Sequence, residues 1–141
     1  MATPYRSLYR VGWWAHKLVW RLSGGRLGAG AMGLPVLELS TIGRHSGERR
    51  AVLLNYIEHP DGYVVIASNA GDERDPAWWR NLVANPDATI RLGGTEATIL
   101  ARELEGEERE ALWRRFVAAN PRYEGYRQAS GRHIPVVLLQ T

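Results

Sequence analysis

Apolar and polar residues alternate along the stretch from Glu38 to Asn55, and this alternation predicts two strands joined by a tight turn. Leu37 and Leu39 fall on one face of the first strand, while Val52 and Leu54 fall on one face of the second. Because successive side chains of a strand point to opposite faces, both strands are expected to cover one core.

The turn between these strands is rich in glycine and in basic residues. Gly43 and Gly47 permit positive φ and a close approach of the backbone to a ligand. The polar side chains of the turn include Arg44, His45, Ser46, Arg49 and Arg50. Guanidinium groups bind phosphate and carboxylate in a bidentate manner, so the turn suits an anion. Taken alone, it equally fits an ordinary exposed hairpin with many arginines.

Further strand patterns follow along the chain. The sequence His59-Pro60-Asp61-Gly62 is typical of a turn and precedes the buried run from Tyr63 to Ser68. Later strands are predicted from Ala88 to Leu92, from Thr95 to Glu103 and from His133 to Gln140. Short turns between most strands favour a mainly β, α+β fold: an antiparallel barrel with helical additions.

Two helices are predicted within this barrel. Asp75 and Pro76 have the pattern of a cap followed by proline in the first turn, and this helix is expected to run to Ala84. A second helix is predicted from Glu107 to Ala119, with Leu112, Phe116 and Ala119 facing inward. The segment from Asn120 to Arg127 is polar and aromatic, and it shows no clear core face.

An amphipathic helix is also predicted from Tyr5 to Leu22, with a basic stripe flanked by tryptophans. The stripe fits contact with a membrane surface through residues 5–22. Because the stripe is short, a helix that packs across the domain or covers a dimer contact is the favoured alternative. The glycine-rich stretch from Ser23 to Gly33 is expected to be a connector. We therefore expect residues 1–33 to be an appendage and residues 34–141 to be one domain.

Composition and charge narrow the functional classes. The 141 residues include no cysteine, which excludes disulfides, thiolate metal sites and a cysteine nucleophile, and a cytoplasmic protein is expected. The formal charge of +3 is unevenly placed, because residues 1–50 carry 8 basic against 2 acidic groups. This asymmetry indicates an anionic partner, which could be a nucleotide-like cofactor, a membrane surface or nucleic acid. The four histidines show no metal-ligand spacing, so no metal site is expected.

A second candidate ligand wall lies where the run from Tyr63 to Ser68 ends. Small residues there, including Asn69, precede the helix predicted at Pro76. Exposed amides at a helix N-terminus favour an anion.

Several segments in matching order from Leu34 to Leu139 resemble the deazaflavin-dependent nitroreductase family. They include LSTIGRHSG followed by Arg50, the run DGYVVIAS, the residues Pro76-Ala77-Trp78 with Asn81-Leu82 and Ala84-Asn85-Pro86, and, near the end, Arg132 with Ile134-Pro135-Val136. The resemblance implies a split β-barrel of the FMN-binding type. It also implies transfer of hydride from reduced coenzyme F-420, an 8-hydroxy-5-deazaflavin, to a hydrophobic electrophile such as a quinone, an enone or a nitro compound.

The resemblance assigns roles to particular residues. The coenzyme's phosphate and polyglutamate tail are expected at Arg44, His45, Ser46 and Arg50. Its tricyclic ring is expected along Ala67, Ser68 and Asn69, with Trp78, Asn81 and Leu82 completing the pocket. Tyr123, Tyr126 and Ser68 are the predicted catalytic residues, which would orient the substrate and donate hydrogen bonds. His45 and Asn69 replace lysines of the nitroreductase itself, and Asn120 replaces a tyrosine, so substrate and tail binding are expected to differ.

Other functions remain open at this point. The protein could be a non-catalytic carrier of F-420 or of FMN, or a peripheral membrane module on the inner face of the cell membrane. Nucleic-acid binding is not expected, because no recognition helix, RNA-binding strand signature or zinc motif is present. An oligomer is compatible with the split-barrel resemblance.

Overall fold

The computed structural model describes residues 34–141, which form seven strands and three helices. The strands are β1 Val36–Ile42, β2 Arg49–Asn55, β3 Ile57–His59, β4 Gly62–Ile66, β5 Asp87–Leu92, β6 Thr95–Glu103 and β7 Val136–Gln140. The helices are α1 Ala77–Ala84, α2 Gly106–Ala119 and α3 Arg122–Ser130, and a short 3-10 turn spans Asn69–Gly71. The predicted N-terminal helix and connector lie outside the described residues.

All seven strands belong to one antiparallel sheet with the order β2-β1-β5-β6-β7-β4-β3. In β1 and β2, Leu37 pairs with Leu54 and Leu39 pairs with Val52, as the alternation predicts. The predicted mainly β, antiparallel architecture with helical additions is confirmed.

The sheet separates the two larger hydrophobic clusters of the described residues. The barrel core contains Leu37, Leu39, Leu54, Val65, Ala67, Trp78, Leu82, Val137 and Leu139 among others. The helix core lies under α2 and α3 and contains Phe116, Tyr123, Tyr126, Val136 and Leu138 among others. Because β7 sends alternate residues into the two clusters, it is buried on both faces.

Four local expectations are wrong. The segment after Asn120, for which no clear core face is expected, forms helix α3 with Tyr123 and Tyr126 on a narrow buried face. Ala119 is exposed instead of inward, since the apolar stripe of α2 ends with Phe116 and the partly buried Val117. Asp75 does not cap α1, because its carboxylate binds Arg132. Finally, β7 begins at Val136, after Pro135 instead of at His133.

Candidate functional site

A cleft of about 480 Å³ opens between the basic turn, defined as residues 43–50, and helix α1. Its lining is Thr41, Gly43, Arg44, His45, Ser46, Arg50, Ala51, Val52, Asn69, Pro76, Ala77, Trp78 and Asn81. The cleft therefore brings together most of the residues predicted to bind the coenzyme. Of the predicted set, Ala67, Ser68 and Leu82 do not line it.

The basic turn is closed by its own backbone. Gly43 N–H donates to Glu48 C=O at 2.8 Å, and Gly47 N–H donates to Gly43 C=O at the same distance. The Ser46 Oγ accepts from the Glu48 N–H at 3.1 Å, which leaves its hydroxyl hydrogen able to donate to a ligand. A Cβ on Gly43 would lie 2.6 Å from Ser46 Oγ, so only glycine fits this position without displacing the Ser46 side chain.

Asn81 of α1 holds the basic turn from inside the cleft. Its Oδ1 accepts from Arg44 N–H at 3.2 Å and from Arg44 NH1 at 3.0 Å. Its Nδ2 donates to Thr41 Oγ1 at 3.2 Å. Asn81 and Thr41 are buried, with exposed fractions of 4% and 1%. The direction of the Arg44 guanidinium is therefore fixed by a residue of the opposite wall.

The outer part of the basic turn is solvent-accessible. His45, Ser46 and Arg50 are all exposed. Arg50 lies 3.4 Å from the Glu48 carboxylate in an exposed ion pair. Such pairs are weak, so an incoming anion can compete for the guanidinium.

Beside α1, the cleft is also bordered by the strand-end loop, defined as residues 67–75, through Asn69. Three consecutive residues of this loop have positive φ: Asn69 at 48°, Ala70 at 53° and Gly71 at 81°. Left-handed backbone is costly for residues other than glycine, and it persists where the surroundings enforce it. Asn69, the one of the three that lines the cleft, donates its Nδ2 to Arg74 C=O at 3.0 Å.

Arg132 secures this loop, and the sequence assigns it no role in the site. Its guanidinium donates to the carbonyls of Ala67, Ser68 and Asp72 at 3.0, 3.1 and 3.0 Å. It also forms an ion pair with Asp75 Oδ1 at 2.7 Å. Burial lowers the pKa of Arg132 from its ordinary value, although Asp75 and Asp72 oppose this shift. Most of its partners are backbone carbonyls, including that of His133, and no residue pattern could reveal such contacts.

The predicted residues that do not line the cleft lie in or beside the two hydrophobic cores. Ala67 and Leu82 are buried in the barrel core, and the half-buried Ser68 precedes the 3-10 turn. Tyr123 and Tyr126 belong to the helix core, where their rings pack edge to face at 5.7 Å. Burial raises the pKa of Tyr126 above its ordinary value of 10.0, with Arg122 acting in the opposite direction. The predicted contact of these tyrosines with substrate stays a prediction.

Solved structures share this sheet. One described as an F420-H2 dependent reductase has a TM-score of 0.67 and 38% identity, covering 75% of this chain and 94% of that one. A second, described as a domain-swapped dimer, has a TM-score of 0.69 and 35% identity, covering 90% and 97%. The heme storage protein HutZ from Vibrio cholerae, at 17% identity and a TM-score of 0.55, shares the fold alone. The fold and cleft define a split β-barrel of the type found in F420-dependent reductases.

Sequence comparison gives the particular family. The family described as F420H2-dependent quinone reductase matches residues 13–141. A Mycobacterium tuberculosis protein of that name is 34% identical over 129 residues, covering 88% of this chain and 86% of its own. A putative quinone reductase of the same organism is 35% identical over 116 residues, covering 82% and 98%. The chain belongs to the F420H2-dependent quinone reductase family, and it is an oxidoreductase whose cofactor is coenzyme F-420.

Proposed function

We propose that the cleft holds reduced coenzyme F-420 and that the protein passes its hydride to a quinone. This proposal rests on one observation: the same cleft is lined by a cationic turn and by a largely apolar wall. The coenzyme has the matching form, because it combines an anionic phosphodiester and polyglutamate arm with a flat ring.

The anionic arm fits the basic turn. Arg44 is directed by Asn81, whereas Arg50 and His45 are exposed at the rim. The Ser46 hydroxyl adds a donor beside these cations. Arginine binds phosphate and carboxylate through parallel hydrogen bonds, so the turn can follow an extended anion instead of a single charge.

The ring fits the apolar part of the cleft. Pro76, Ala77 and Trp78 line one side, and Ala51 and Val52 line the other. Trp78 is only 7% exposed and packs edge to face with Trp79, with ring centroids 6.3 Å apart, so this wall is rigid. Apolar walls with a few placed polar groups are typical of cofactor sites.

The coenzyme supplies the two-electron hydride chemistry, and the chain supplies orientation, exclusion of water and hydrogen bonds. A quinone that receives a hydride gains negative charge on oxygen, which a nearby donor stabilises. We propose Ser68, Tyr123 and Tyr126 for this role, as their positions in the resemblance imply. Loss of turnover in Ser68→Ala, together with normal turnover in Tyr123→Phe and Tyr126→Phe, would assign the donor to Ser68 and remove the tyrosines.

The first test is a fluorescence titration of the full chain with oxidised and reduced F-420, with FMN as competitor. We expect selective binding of the deazaflavin, and a Kd about tenfold higher for Arg44→Ala and Arg50→Ala. Arg114→Ala, an exposed arginine on α2, is the matched control and should bind normally. Selective FMN binding, or binding of neither cofactor, would overturn the assignment. Normal binding without turnover of quinones, enones or nitroaromatics would identify a carrier.

We also propose that the quinone is reached at the inner face of the cell membrane through residues 5–22, and that the cleft itself is cytoplasmic. This segment lies outside residues 34–141, and none of the helices described there is long and apolar enough to cross a membrane. Liposome co-sedimentation of the chain with and without residues 1–22 tests the idea, and equal recovery of both would remove it. The domain-swapped relative makes a dimer worth testing by light scattering in the same samples.

A further inference from the structure

We propose that Arg132 is a positioning residue for hydride transfer, because it holds the strand-end loop against the cleft. The proposal rests on the function proposed above. Arg132 does not line the cleft, so it acts through the loop rather than on the cofactor or the substrate.

The contacts of Arg132 bracket the left-handed turn. On the near side, NH2 donates to Ala67 C=O and Ser68 C=O. On the far side, Nε donates to Asp72 C=O, and NH1 binds the Asp75 carboxylate. The side chain of Arg132 is only 14% exposed, so these contacts are largely shielded from water.

The bracketed turn needs such support. Asn69 and Ala70 hold positive φ without being glycine, which is a costly backbone conformation for residues with a side chain. Within the turn, Gly71 N–H donates to Ser68 C=O and Asp72 N–H donates to Asn69 C=O, both at 3.0 Å. The Asn69 side chain adds a bond to Arg74 C=O within the loop. The Arg132 guanidinium joins the residues before the turn to those after it.

The same contacts place two parts of the cleft wall. Asn69 lies between the two sets of carbonyls, and Pro76, Ala77 and Trp78 follow directly after Asp75. A small displacement of the loop would therefore move Asn69 and the start of α1. The bonds of Asn81, one turn further along α1, would still hold the basic turn. Misplacement by about 1 Å can reduce a rate a hundredfold.

Arg132→Lys is the informative variant, because lysine retains the charge beside Asp75 but has no planar fork to reach both sets of carbonyls. In the cofactor-free protein, we expect faster hydrogen exchange at the Gly71 and Asp72 amides. The Gly43 and Gly47 amides of the basic turn should exchange as in the wild type, and Arg114→Lys should change neither pair. Unchanged exchange at Gly71 and Asp72 would overturn the proposal without reference to the cofactor.

The kinetic test uses the holoenzyme. We expect Arg132→Lys to lower kcat about tenfold or more, with a change in coenzyme Kd of less than about threefold. Adding Asn69→Ala to Arg132→Lys should lower kcat/KM little further, since Arg132 acts through that loop. Adding Arg44→Ala instead should multiply the two losses of kcat/KM, because Arg44 belongs to the basic turn. Fully multiplicative effects of Arg132→Lys and Asn69→Ala would overturn the proposal.

Two further results keep the test decisive. If Arg132→Lys does not fold, Asp75→Asn removes the charge of one partner, and it should raise exchange at the same amides by a smaller factor. Normal exchange in Asp75→Asn would then overturn the proposal. A wild-type protein that binds no F-420 would refute the proposed function alone, because the exchange experiment is read without the cofactor.

Discussion

A single side-chain oxygen of Asn81 accepts both the backbone N–H and the guanidinium of Arg44, at 3.2 and 3.0 Å. The two residues are 37 positions apart, on opposite walls of the cleft. The amide group of the same side chain donates to the buried Thr41 hydroxyl. The resemblance implies that Asn81 contacts the cofactor. Asn81 thus also sets the direction of the Arg44 guanidinium.

Asn81→Ala should raise the Kd for F-420 about tenfold, because Arg44 loses its acceptor and with it a fixed direction. It should also lower the free energy of unfolding by about 1–3 kcal/mol, since buried partners are left without hydrogen bonds. Isothermal titration and urea unfolding measure the two effects. Gln128→Ala, on the exposed side of α3, is the control. Normal affinity in Asn81→Ala would show that Arg44 needs no support.

Glu48→Gln should tighten coenzyme binding. The Glu48 carboxylate lies 3.4 Å from Arg50 and competes with an anion for that guanidinium. We expect the Kd to fall about twofold to threefold at low salt, in line with the small energy of an exposed pair, and the gain to shrink as salt is added. Glu107→Gln, an exposed substitution on α2, controls for net charge alone. Equal gains in both variants would point to a long-range charge effect and not to Arg50.

Gly71→Ala and Gly47→Ala form a matched pair at positive φ. At Gly71, with φ 81°, a Cβ would lie 3.3 Å from the Tyr126 Cα, whereas at Gly47, with φ 70°, it would meet nothing within 4 Å. Gly47→Ala should therefore cost about 1 kcal/mol from backbone strain alone. Gly71→Ala should cost about 1–2 kcal/mol more, because α3 must also shift. Urea unfolding of both variants tests this, and equal costs would contradict tight packing of Gly71 on α3.

Tyr126→Phe should make stability less sensitive to alkali. Burial raises the pKa of Tyr126 in the folded protein above 10.0. The resulting contribution of Tyr126 to the free energy of unfolding is fully present below the unfolded pKa and is lost as pH rises through the folded pKa. The wild-type free energy of unfolding should thus fall more steeply above about pH 10 than that of the variant. The measurement is the difference between the free energies of unfolding at pH 8 and pH 11, taken within each protein. The effect of the hydroxyl contacts that the variant lacks cancels in this difference. Parallel declines would contradict the raised pKa.

Much of the β framework could be predicted from the sequence, because strand alternation is a local signal. Leu37, Leu39, Val52 and Leu54 show this in their register. The glycines and arginines also marked the basic turn as a candidate site, and the turn lines the cleft. Its binding of an anion stays a prediction. The resemblance then brought Asn69, Trp78 and Asn81 to the same cleft.

The features that could not be predicted from the sequence depend on partners that are distant in the chain. Helix α3 buries only Tyr123, Tyr126 and Ser130, which is too narrow a face to stand out beside Gly125 and the charged residues. Asp75 has the sequence context of a helix cap, but Arg132, 57 positions later, takes its carboxylate. The role of Arg132 itself is invisible because it binds backbone carbonyls, which every residue has.

The basic turn and the strand-end loop differ in how well they tolerate substitution. His45, Ser46 and Arg50 are exposed on a turn closed by its own backbone, so substitutions there should cost little stability and can retune the preference for an anionic tail. The strand-end loop has no such freedom, because its left-handed residues, Arg132 and the packing of Gly71 on α3 constrain one another. Under the proposed placement of the coenzyme's arm and ring, homologues should therefore differ more in the basic turn, which would hold the arm, than in the strand-end loop beside the ring.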